Sequence, residues 1–260
     1  MRSLASATFL LFRTQLARVG WSRRYLACLA LAAAPPFLAW LLSRFATRIP
    51  GGMIAVHIGW LLLVQVITPL CALVCGSAVV TEEIEDRTIT YLFSRPIPRS
   101  AVLLGRWLAA LVVVSVLLGV SAVLTAGLAS FSTAPGALVD SRITAPLLAA
   151  ALLGGAVYSG LFAAAGVFFR HPMIVGLGYA FAVEGFLANL PGRNQALTVQ
   201  YYLRSVIAAT GSSSWRNVEG FSTSRFDTLE GSIVTLALLL FAVLALGSWR
   251  ISRKEFVLSA

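Results

Sequence analysis

Long apolar runs separated by short polar connectors extend along almost the whole chain. Six runs stand out: Tyr25–Ser43, Ile54–Val80, Trp107–Leu128, Ala145–Phe169, Met173–Leu190 and Ser232–Trp249. Each has about the 17–25 residues needed to cross ~30 Å of hydrocarbon, and the second is long enough to tilt or project. The pattern therefore predicts an all-α polytopic membrane protein with six transmembrane helices over 25–260. Pro35 and Pro36 are expected to kink the first helix. Residues 1–24 read differently: Phe9, Phe12, Leu16 and Val19 recur at helical spacing among five arginines. An amphipathic helix in the membrane interface would carry that pattern.

Composition agrees, with 58% hydrophobic and only 12% charged residues. Such a chain lacks the polar surface of a soluble domain. The net charge of +10 comes from nineteen arginines and Lys254. These sit beside apolar runs, so topology and anionic lipid explain them and nucleic acid does not. With the N-terminus inside, thirteen basic residues fall on the cytoplasmic side and seven outside. The expected placement is a bacterial inner membrane with both termini cytoplasmic. Cys28, Cys71 and Cys75 lie in apolar runs and form no disulfide framework. Cys71 and Cys75 share a helix face with His57 further along, but without a third close ligand they read as buried apolar thiols, and no metal is expected. The histidines, His57 and His171, fall on opposite sides of the bilayer, which disfavours a membrane hydrolase.

Small residues Ala151, Gly155, Ser159 and Ala163, with Gly160 and Ala164 beside them, form a ladder on the fourth run and predict close helix packing. The loop 191–231 is the one long outer connector; within it, 196–209 reads as a partly apolar helix lying against the outer membrane surface. Glu184 is the only carboxylate inside a predicted span. It lines a substrate path or holds an outer gate, or else it serves structure by facing water or capping an outer turn.

The remaining charge is concentrated in 81–106, TEEIEDRTITYLFSRPIPRSAVLLGR. Thr81 would cap a helix whose first turn carries Glu82 and Glu83. Ile84, Thr88, Tyr91 and Leu92 share one face, Arg95 closes the helix, and Pro96 and Pro98 stop it. This stretch resembles the first cytoplasmic loop of type-2 ABC transporter permeases. The residues carrying the likeness are Glu82-Glu83-Ile84-Glu85-Asp86, Arg87-Thr88, Leu92-Phe93-Ser94, Pro96, Arg99 and Gly105-Arg106. Arg87 and Arg106 stand where that family usually has glycine and lysine.

The resemblance implies that 81–106 is a coupling helix seated in a groove of a separate ATPase dimer. Glu82, Glu83, Glu85, Asp86, Arg87, Thr88, Tyr91, Leu92, Arg95, Pro96 and Arg99 would make the contact. It also implies a second permease copy, export or mechanical transmission as the function, and ATP with Mg in the partner. The chain has no phosphate-binding loop, so it is not itself the ATPase and binds no cofactor directly. An outside partner could meet 191–231. Two other readings are a membrane scaffold that recruits a cytoplasmic protein, and a secondary transporter, which would be expected to carry inverted repeats and more mid-membrane charge.

Overall fold

The computed structural model describes residues 4–19, 23–46, 48–85, 99–136, 138–187, 193–218, 221 and 226–253, and among these no residue forms a strand. The chain opens with α1 (Leu4–Val19) and α2 (Arg23–Phe45). The second span is composite. It starts as α3 (Gly51–His57), widens into a π-helical segment Ile58–Ile67, and continues as α4 (Thr68–Glu85). Two long helices follow, α5 (Arg99–Ala129) and α6 (Ser141–Phe168). Then α7 (Pro172–Gly178) passes into a second π segment, Tyr179–Phe186. A 3₁₀ turn (Arg193–Leu197), α8 (Val199–Thr210), another 3₁₀ turn (Ser213–Asn217) and α9 (Leu229–Arg253) complete the described chain.

Among the described residues, five helices are long and apolar enough to cross a membrane: Arg24–Phe45, Gly51–Val79, Ser100–Ala129, Ser141–Phe168 and Leu229–Arg253. They match five of the six expected runs. The remaining one, expected at Met173–Leu190, is the shorter apolar stretch Pro172–Phe186. The N-terminal α1 packs along α5.

The hub of the bundle is α6, which packs against α4, α5, α8 and α9. Its small residues are divided among those neighbours. A Cβ on Gly155 would meet Leu118 and Val114 of α5 at 3.0 and 3.1 Å, and one on Gly160 would meet Leu240 of α9 at 2.5 Å. One on Gly154 would meet Leu203 of α8 at 2.9 Å. On the facing helix, a Cβ on Gly76 of α4 would sit 2.8 Å from the Ser159 carbonyl oxygen. Small side chains thus let several backbones approach α6 at once. Trp107 Nε1 of α5 donates to Ser159 Oγ at 3.3 Å, adding a polar tie.

Four prolines lie inside these helices, Pro35, Pro36, Pro69 and Pro146, and a proline removes the donor for the carbonyl four residues earlier. In lipid such a carbonyl needs another partner. Pro36 releases Ala32, whose oxygen accepts from Ser121 Oγ of α5 at 2.6 Å. Pro69 releases Gln65, whose carbonyl accepts from Gln200 Nε2 of α8 at 3.4 Å. Pro146 releases Arg142, whose carbonyl accepts from the Ser212 backbone N–H at 3.1 Å. The helix α2 runs through both Pro35 and Pro36 as one element. Replacing Ser121 by Ala should lower stability by about 1–3 kcal/mol, the cost of an orphaned buried acceptor. Thermal unfolding in detergent would read this, and an unchanged midpoint would remove Ser121 from that role.

The cysteines gather where α2 meets α4. Cys28 Sγ lies 3.6 Å from Cys75 Sγ, and Cys71 Sγ reaches the Cys28 carbonyl at 3.7 Å. All three thiols are free and buried. Their packing as small hydrophobes agrees with the sequence reading, although the approach of Cys28 was not visible in it.

Candidate functional site

The charged stretch 81–106 is described only at its two flanks. Asp86, Arg87, Thr88, Tyr91, Leu92, Arg95 and Pro96 lie outside the described residues. On the near flank, α4 continues without a break from Thr68 to Glu85. Thr81 is therefore an interior helical residue and not the expected cap. Nothing between Val80 and Glu85 breaks a helix, so the hydrogen-bond ladder outlasts the apolar run. Glu82, Glu83 and Glu85 occupy its last turn. On the far flank, Arg99 begins α5, well before the expected span start at Trp107. Arg106 is buried, and its Nη1 donates to the Val79 carbonyl oxygen at 3.3 Å. This bond joins the two flanks, so the charged stretch is carried by two helices fastened to each other.

A second polar centre lies at the other end of the bundle, where both π segments face α8. Glu184 is completely buried there. Its Oε1 accepts from the Tyr179 hydroxyl at 2.8 Å and from the Val199 N–H at 3.0 Å. Its Oε2 accepts from the Gln200 N–H at 3.1 Å. Val199 and Gln200 are the first residues of α8, so the carboxylate caps that helix from another element. Thr198 adds the local cap by accepting from the Tyr201 N–H at 3.3 Å. The first π segment supplies the rest. In the amide orientation that satisfies both ends, Gln65 Oε1 accepts from Trp60 Nε1 at 3.2 Å and from Arg204 Nη2 at 3.1 Å. The Arg204 guanidinium lies over the Trp60 ring, 5.3 Å from its centroid. Trp60 in turn meets Phe221 edge-on at 5.1 Å.

An acid and an arginine are thus buried together: Glu184 is 0% and Arg204 1% exposed. Burial lowers the Arg204 pKa, and the Glu184 carboxylate opposes that shift. A π turn holds more residues than an α turn and is uncommon, and it is frequently found at functional sites. Here both such stretches end on the same network, beside a cleft of about 230 Å³ lined by Gln65, Pro69, Phe181 and Gln200 among others.

For Glu184 the sequence left two roles open, and the geometry includes the capping one. The segment 196–209 is helical as expected. However, α8 packs into the bundle against α6 and α9 instead of lying on the surface, with Leu203, Arg204, Ser205, Val206 and Ile207 buried. The sequence reading missed Trp60, Gln65, Gln200 and Arg204. The signal available was a glutamine in the middle of an apolar span and an arginine flanked by apolar residues.

No individual curated protein matches the chain significantly. A family model described as ABC-2 family transporter protein matches residues 33–255. That match covers every described span except the beginning of α2, and the chain therefore belongs to the ABC-2 transporter family.

Proposed function

We propose that this chain is the permease subunit of an ABC exporter, driven by a separate cytoplasmic ATPase that docks on 81–106. The observation that carries the reading is the mounting of that stretch. It leaves the second span as an extension of α4, returns as the first turns of α5, and is closed at its base by the Arg106–Val79 bond. A push on the loop would therefore reach two spans directly. Glu82, Glu83, Glu85, Asp86 and Arg87 would match charge on the ATPase, with Tyr91 and Leu92 as apolar anchors. ATP and Mg would be held by the partner, and two permease copies would enclose the path.

At the opposite end, Glu184 would act as the outer gate's hinge, because it ties the fifth span to α8. The second span joins the same network through Gln65, so motion at the loop has a continuous element along which to travel. The test is copurification with the cognate ATPase in nanodiscs, followed by ATP turnover. The double substitution Tyr91→Asp with Leu92→Asp should abolish association and reduce stimulated turnover to the level of the ATPase alone. Retention of both would end the coupling proposal. Association without any effect of the permease on turnover would favour the scaffold reading.

A further inference from the structure

An apolar slot of about 350 Å³ opens between α6, α7 and α9. Its walls include Phe168 and Phe169 at the end of α6, Val175 and Tyr179, and Val243 with Leu246 of α9. The Tyr179 hydroxyl is turned inward to Glu184, so only its ring faces the slot. None of the lining residues is charged.

The slot exists because α9 uses one stripe to bind α6 and leaves the next one free. Leu240, Leu244 and Gly247 are the gripping stripe: Leu240 and Leu244 reach Gly160, and a Cβ on Gly247 would lie 3.4 Å from that of Ala164. Ile251, one turn further, is buried on the same face. Val243 and Leu246 lie on the neighbouring stripe, and Arg250 continues it at i+7 from Val243. Arg250 is exposed in the last turn of α9. Arg170 is also exposed and directly follows Phe169, one of the slot's walls. Phe168 and Phe169 share the slot with Leu246, so Arg170, next after Phe169, and Arg250, one turn beyond Leu246, both adjoin the same end of the slot in the chain.

We infer that this slot is a binding site for an anionic phospholipid, with an acyl chain between α6, α7 and α9 and the phosphate held by Arg170 and Arg250. The surroundings favour this occupant. The slot is apolar throughout its lining, it opens on the lipid-facing flank of a spanning helix, and two cations stand where a headgroup would lie. A purely apolar occupant, such as a helix of a second copy, would use the slot's lining but neither of the two arginines next to it.

The test is native mass spectrometry of the intact permease from nanodiscs holding equal phosphatidylglycerol and phosphatidylcholine. Wild type should retain phosphatidylglycerol in preference. Arg170→Gln with Arg250→Gln should lower that preference by about fivefold for each arginine, the size of one basic contact at a membrane surface. Arg170→Lys with Arg250→Lys should preserve it. Ala165→Phe, which fills the slot without touching the charge, should reduce retention of both lipids. Equal retention of the two lipids by wild type would overturn the proposal, as would an unchanged preference in the double glutamine variant. Dissociation of a dimer by Ala165→Phe with lipid preference intact would overturn it too, by assigning the slot to a second copy.

Discussion

Glu184→Ala should be the most damaging single substitution at the end of the bundle away from the charged stretch. It removes the acceptor for the Tyr179 hydroxyl and for the first two N–H groups of α8. It also leaves the buried Arg204 without the carboxylate that favours its charge. Losing one member of a buried charged network costs about 3–5 kcal/mol. The loss should be local before it is global, because the bonds removed close the first turn of α8. Hydrogen exchange at the Val199 and Gln200 amides is the direct readout, and their protection should fall ahead of that in α6. Glu184→Gln retains an oxygen acceptor but no charge and should fall between alanine and wild type. Unchanged protection in the alanine variant would show that the cap does not hold α8.

The second large effect is expected at Gly76. A Cβ there would lie 2.8 Å from the Ser159 carbonyl oxygen and 3.2 Å from Phe162 Cβ. The first of these is backbone and cannot rotate away, so Gly76→Val must push α4 from α6. Overpacking of this kind costs about 1–3 kcal/mol or more. Since α4 carries the start of the charged loop, the proposed coupling also requires the variant to weaken any stimulation of ATP turnover by the permease. Gly127→Ala in α5 is the matched control, because a Cβ there meets nothing within 4 Å. It should be neutral or should stabilise by up to ~1 kcal/mol through helix propensity. If Gly76→Val behaved like Gly127→Ala, the tight α4–α6 contact would be disproved.

The spans were legible because hydrocarbon imposes a length and a polarity that composition alone expresses. The limits of Ser141–Phe168 lie within a few residues of the run 145–169 for that reason. Interruptions within spans were not legible. Nothing in IGWLLLVQVI distinguishes a π segment from an α-helix, since the difference depends on what Gln65 and Trp60 can reach across the bundle. Pro69 was visible but unread, because its effect appears at Gln65 and is met by Gln200, far along the chain. Thr81 failed as a cap for the opposite reason: the end of an apolar run was taken for the end of a helix. Of the residues proposed to meet the ATPase, identity and spacing are legible in the chain, and the described flanks add only their mounting.

The carbonyls released by Pro69 and Pro146 have a consequence for how the chain is made. Their partners, Gln200 and Ser212, are synthesised after the fourth and fifth spans. During biogenesis the second and fourth spans would therefore enter lipid with an unmet backbone acceptor, and would keep it until α8 and the following turn have been made and packed. This late segment thus completes helices made long before it. A nascent chain halted after Phe186 should remain a target for membrane quality control, and one extended past Ser212 should escape it.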